Sequence, residues 1–221
     1  MAITPFHVTL WIELLAAGLG GLQGALFAAG ARPRRIDVLG VVVIGLAVAL
    51  GGSLLRDIVL DQPPVVVWRN WYLIVAAASA VLGMVLQPLL ARAEWVITVL
   101  LDAVVMGLFG AIAASKALSL GVGEAGALIV GVVGAIGGGM LRDVILSLPF
   151  SFLHVGTLYA VAAAAGSGTF VLLAKLGTPV PIAGVACVAV TTLVRLAAVR
   201  FNWTFPEQFI LRPRRPDTPQ G

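Results

Sequence analysis

Two arginine–aspartate pairs, Arg56–Asp57 and Arg142–Asp143, follow closely on clusters of small residues in otherwise apolar sequence. Gly51–Gly52–Ser53 precedes the first pair and Gly137–Gly138–Gly139 the second. A glycine in a helix interior costs about 1 kcal/mol relative to alanine, and two or three together favour a bend or a local unwinding. Unwound backbone in a membrane is tolerated where it is buried in protein or lines a wet cavity. There its freed carbonyl oxygens can replace part of a cation's water shell. The other reading is close helix packing, for which Gly131, Gly134 and Gly138 are also suited.

The charges allow two readings as well. Neighbouring residues on a helix point about 100° apart, so each arginine and aspartate is expected to find partners on other helices rather than each other. Embedded charges are costly and either pair structurally or serve a pathway or gate. Asp102 is the best further candidate, as a cation-attracting wall or a partner for Arg142. Lys116 is expected to snorkel at an interface or to sense voltage, while Glu13, Gln23, Ser79, Ser115 and Arg195 are weaker single candidates.

These residues must be positioned by membrane helices. Of the 221 residues, 60% are hydrophobic and only 11% charged, with a mean hydropathy of +1.07. A soluble domain of this length carries about twice that charge. Apolar runs broken by proline and polar segments predict seven spans, at roughly 8–29, 37–60, 71–90, 95–115, 122–147, 155–175 and 180–200. They form one membrane domain, followed by a tail at 201–221 that reads as an interfacial anchor with a disordered basic end. The N-terminus lacks the basic start of a cleavable signal, so the first apolar run is expected to stay in the protein.

The chain is also duplicated. ALGGSLLRDIVLDQP (49–63) and AIGGGMLRDVILSLP (135–149) share eight of fifteen positions at an offset of 86, which also aligns GLQGA (21–25) with GLFGA (107–111). The two units, about 8–90 and about 95–175, each hold three crossings. Three is odd, so the second unit enters the bilayer from the opposite face and the repeats are inverted. The seventh span stands outside this symmetry. Arg32, Arg34, Arg35, Arg92, Arg200, Arg212, Arg214 and Arg215 fall on one side, against Arg69, Lys116 and Lys175 on the other. The positive-inside rule puts the N-terminus outside and the C-terminus in the cytoplasm.

Cys187 is the only cysteine, and His7 and His154 are the only histidines, so no disulfide, zinc or haem site is suggested. The five tryptophans, Trp11, Trp68, Trp71, Trp95 and Trp203, fall at span ends as an aromatic belt. The basic tail suits anionic lipid, so the pI of about 10.0 requires no nucleic-acid partner. No nucleophile–base pair, metal cluster or phosphate loop points to an enzyme.

The paired GG(S/G)xLRD segments, the stretch DAVVMGLFGAIAASKAL (102–118) and the seven-span layout resemble prokaryotic members of the trimeric intracellular cation (TRIC) channel family. They overlap a bacterial membrane family described as glycine transporters. The resemblance covers about residues 8–200, and the first repeat departs from it where Ser53 replaces the third glycine. It implies a homotrimer with a pore inside each protomer, between the repeats, and kinks at Gly51, Gly52 and Ser53 and at Gly137, Gly138 and Gly139. The expected function is a potassium-permeable monovalent cation channel of a prokaryotic cytoplasmic membrane, with a carrier for a small solute such as glycine as the alternative. No cofactor is implied beyond permeant potassium or sodium and bound lipid.

Overall fold

The computed structural model describes residues 9–30, 36–90, 94–149 and 158–203, all helix or short connection. Its elements are α1 (Leu10–Gly30), α2 (Val38–Val59), the single turn α3 (Val65–Trp68), α4 (Asn70–Leu90), α5 (Glu94–Ser119), α6 (Glu124–Ile145), α7 (Tyr159–Lys175) and α8 (Val180–Arg200). Six of these are long and apolar enough to cross a bilayer, and α7 is a shorter apolar helix. The expected spans are therefore present, with α3 as an unforeseen extra turn. Residues 155–157 of the expected sixth span, and the tail from residue 204, lie outside the described residues.

Local chemistry sets the helix limits. Asp37 caps α2 by accepting a hydrogen bond from Gly40 N at 2.7 Å, which satisfies one of the donors a helix start leaves open. At their C-termini α2 and α6 end alike. Leu60 N donates to Arg56 O and Leu146 N to Arg142 O, both at 3.0 Å. One residue later, Asp61 and Ser147 adopt left-handed φ of 52° and 46°. Gln62 N and Leu148 N then return to Asp57 O and Asp143 O, each at 2.8 Å. Every position in the second list lies 86 residues after its counterpart, so the duplication is written into the backbone.

The two halves meet where α2 crosses α6. A side chain added at Gly51 would strike Leu141, and its next neighbours are Gly138 Cα at 3.1 Å and Gly137 O at 3.3 Å. One added at Gly137 would strike Leu55, then Gly52 Cα at 3.1 Å and Gly51 O at 3.4 Å. Likewise Gly52 lies against the carbonyl of Gly134, and Gly138 against that of Val48. Exchanging the repeats maps each contact onto its partner, which is the signature of a pseudo-two-fold axis through the crossing.

The expectation of unwound turns at the glycines is corrected here. Both α2 and α6 stay α-helical through Gly51–Ser53 and Gly137–Gly139. The missing side chains are used for backbone-to-backbone approach, which small residues permit. The close crossing takes up the glycines without breaking either helix.

The remaining spans wrap this pair. Ala76 and Ala80 of α4 are fully buried against α1 and α2, and Gly21 and Gly45 fit against them. On the other side α8 packs on α5 and α7, where Gly107 meets Val188 and Gly166 meets Thr191. The outer faces of α4 and α8 are exposed and apolar, as at Leu82, Val85, Val185 and Leu193. Trp11, Trp68, Trp71 and Trp203 are exposed at helix ends, as an interfacial belt requires.

Candidate functional site

Depth follows from the crossing. An inverted repeat with its axis in the membrane plane puts that crossing at mid-depth. At about 1.5 Å per residue, Arg56 and Arg142 lie about 6 Å to either side of it. Both helices end about 10.5 Å from it, one turn beyond the arginines. Arg56 is 2% exposed and Arg142 4%, so neither snorkels to the surface.

Each arginine instead holds its own neighbour. Arg56 Nε donates to Asp57 Oδ1 at 2.7 Å; Arg142 donates to Asp143 Oδ1 from Nε at 2.9 Å and from Nη2 at 2.8 Å. The adjacent residues thus pair after all, contrary to expectation, while the expected partners on other helices, Glu13 and Lys116 in one cluster and Asp102 in the other, are also present. Their Cα–Cβ directions do diverge, but the long guanidinium arm curls back within the last helical turn and spans the gap.

The first cluster stands where α1 and α4 begin and α2 and α5 end. Besides Arg56, the Asp57 carboxylate takes Lys116 Nζ at 2.7 Å and Val65 N at 3.0 Å. The α3 turn is thereby tied into the cluster. Lys116 is an ion-pair partner reaching across from the other repeat, not a snorkelling residue. Arg56 Nη1 also faces Glu13 Oε1 at 3.8 Å, and the Tyr72 hydroxyl donates to Glu13 Oε2.

The second cluster lies toward the opposite face. Asp102 Oδ1 accepts from Gln23 Nε2 and from the Tyr159 hydroxyl, each at 3.2 Å. Arg142 Nη1 lies 4.0 Å from Asp102, and Arg195 Nε of α8 lies 3.8 Å from it. The Arg142 guanidinium sits 4.0 Å above the Phe27 ring and that of Arg195 4.8 Å from the Tyr159 ring, both cation–π distances. Gln23 and Phe27 come from α1, so this cluster too is closed by the other repeat.

Each cluster therefore holds two acids and two bases. Glu13 and Asp57 face Arg56 and Lys116, while Asp102 and Asp143 face Arg142 and Arg195. Buried charges persist when they are paired and hydrogen-bonded; the clusters meet that condition except at Arg195 Nε, which is buried and ion-paired at 3.8 Å without a hydrogen bond. Ser53 and Gly139 differ for a local reason. A Cβ at Gly139 would lie 2.8 Å from the Tyr159 hydroxyl. The position equivalent to Tyr159 in the first repeat is Leu73, with the tyrosine one residue earlier, so no hydroxyl stands at the equivalent place beside Ser53.

The charged residues singled out as site candidates, Glu13, Arg56, Asp57, Asp102, Lys116, Arg142, Asp143 and Arg195, fall in these two clusters, and the six glycine and serine positions lie between them. Sequence reasoning missed Tyr72, Tyr159 and Phe27 and gave too little weight to Glu13, Gln23 and Arg195. Tyr72 and Tyr159 are the only tyrosines of the chain, and each stands in the first turn of the third span of its repeat. That coincidence was the available signal.

The fold and the clusters define a multi-pass membrane protein with two inverted three-helix repeats and an added seventh span. The profile of the family described as "Glycine transporter" matches the chain twice, over residues 10–88 and 99–175. A UPF0126 membrane protein of Deinococcus radiodurans is 36% identical over 171 residues, 76% of this chain and 78% of that protein. The UPF0126 inner membrane protein YadS of Escherichia coli is 31% identical over 199 residues, 89% and 94% of the two chains. The chain belongs to this family. Among solved structures, the TRIC trimeric intracellular cation channel orthologue from Rhodobacter sphaeroides superposes with a TM-score of 0.79 at 28% identity, covering 88% of this chain and 98% of that one. A structure from work on conductance through TRIC cation channels gives 0.77 at 26% identity, covering 94% and 100%. The fold is that of the TRIC channels.

Proposed function

We propose that this protein is a potassium-permeable channel for monovalent cations, with a conduction path inside each protomer between the two repeats. The observation that carries the reading is the α2–α6 crossing flanked by two charge-balanced clusters, one toward each face. Because the arginines are neutralised by their own aspartates, they do not bar cations from that path. The superposition on structures described as cation channels supports the same reading, and neither they nor the family are enzymes.

The Rhodobacter structure is described as trimeric, which supports a homotrimer here, with the exposed apolar faces available for protomer and lipid contact. The bias of basic residues supports an N-terminus outside and a cytoplasmic C-terminus, in the cytoplasmic membrane of a prokaryote. Anionic lipid is the partner proposed for the basic tail.

A second reading, a carrier for a small solute such as glycine, is favoured by the description of the matching family. One experiment separates the two. Purified protein is placed in a planar bilayer under a potassium chloride gradient and, in parallel, in liposomes with labelled glycine. Discrete current steps reversing near the potassium equilibrium potential establish the channel. Saturable glycine uptake without current steps overturns it in favour of the carrier.

A further inference from the structure

Within each cluster the two carboxylates are unequal. Arg56 lies 2.7 Å from Asp57 but 3.8 Å from Glu13. Arg142 lies 2.8 Å from Asp143 but 4.0 Å from Asp102. The nearer side chains are sealed, at 0% exposure for Asp57 and 2% for Asp143. The farther ones stay open, at 19% for Glu13 and 13% for Asp102. Lys116 is also open at 23%, but its ammonium is held by Asp57.

The open carboxylates lie beside arginines at about 6 Å from mid-depth. A carboxylate edge at that depth is costly against hydrocarbon, so the open edge has to face water. Glu13 and Asp102 stand on the first helix of their respective repeats, and a tyrosine hydroxyl from the third helix orients each. Their separation of 89 residues departs from the offset of 86 by close to one helical turn, which keeps the same face of the helix. Each repeat thus arrives at an open carboxylate by a non-equivalent residue.

Resting on the channel reading above, we infer that Glu13 and Asp102 set cation preference at the two mouths of the path, one on each membrane face. The sealed aspartates balance the buried bases, Asp57 both Arg56 and Lys116 and Asp143 Arg142. A fixed negative edge in a narrow, low-dielectric mouth raises the local cation concentration. Salt screens it, because the Debye length shrinks from about 30 Å at 0.01 M to about 3 Å at 1 M.

The test uses excised patches from giant spheroplasts, where all copies share one orientation, with Glu13→Gln, Asp102→Asn and the charge-preserving Glu13→Asp and Asp102→Glu. In dilute potassium chloride, each neutral variant should cut cation current entering from its own face about two-fold. The two should therefore rectify in opposite senses, the double variant should lose preference for potassium over chloride, and 1 M salt should abolish the rectification. The charge-preserving variants should behave as the parent, a rescue that a purely structural role does not require. Symmetric currents, or rectification of one sign in both neutral variants, overturn the inference while leaving the channel reading intact. A parent protein that carries no current overturns both.

Discussion

Lys116 Nζ lies 2.7 Å from Asp57 Oδ1, and that single bond ties the last turn of α5 in one repeat to the last turn of α2 in the other. The aspartate is fully buried while the lysine keeps 23% of its side chain open, so the two ends of the bond are not equally replaceable. Asp57→Asn takes the buried counterion from Lys116 and leaves Arg56 only the more distant Glu13 carboxylate at 3.8 Å, a buried-pair break that costs about 3–5 kcal/mol. Lys116→Met should cost less, because water reaches the ammonium. Thermal melting in detergent should rank the single variants in that order, and the Asp57→Asn/Lys116→Met double should lie above the additive sum. Strict additivity would mean the bond carries no coupling.

At the crossing, Gly52→Ala and Gly138→Ala push a methyl group into the carbonyls of Gly134 and Val48. Overpacking of this kind costs about 1–3 kcal/mol. Gly184→Ala, with nothing near the added methyl, should leave stability unchanged or raised. Equal melting temperatures for all three would remove the close crossing as the reason for the glycines.

Gly139→Ser should be worse than its symmetric counterpart Ser53→Gly. The new side chain displaces the Tyr159 hydroxyl and with it the 3.2 Å bond to Asp102. Tyr159→Phe combined with Gly139→Ala relieves the clash and should recover the yield of the parent's assembly on size exclusion, compared with Gly139→Ala alone. Failure of that rescue would put the clash elsewhere.

Arg142→Ala strips Asp102 and Asp143 of their shared cation and leaves Arg195 as the remaining base of the cluster. Open probability or assembly should change more than the potassium-to-sodium permeability ratio, which bi-ionic reversal potentials measure. A clean change of selectivity with the parent's assembly intact would place the guanidinium in the ion's path.

The architecture was legible in sequence because repetition and hydropathy are linear properties. An offset of 86 survives in the residues, and an odd number of crossings forces inversion. Side-chain reach is not linear, and this is where the reading failed. Arg56 curls onto Asp57 because its arm is long enough to ignore the 100° step of the helix. The glycines look like breaks until the second helix that occupies their missing side chains is known. Glu13 and Asp102 escaped notice as a pair because they are displaced by a turn from the duplication's own register. Tyr72 and Tyr159 were hidden by the same kind of shift, one residue from equivalence.

Around the pseudo-two-fold axis each repeat presents the same small-residue surface to the other, since Gly51 packs on Gly138, the duplicate of Gly52, while Gly52 packs on Gly137, the duplicate of Gly51. Such a surface is self-complementary, so one repeat alone already carries the instructions for both sides of the joint. A chain of half this length, inserted into the membrane in both orientations, could rebuild the crossing by pairing with an upside-down copy of itself. Within one polypeptide the halves are free to differ away from the axis, as Lys116 and its counterpart Gly30 do, while a bulky change at the joint obstructs both halves at once.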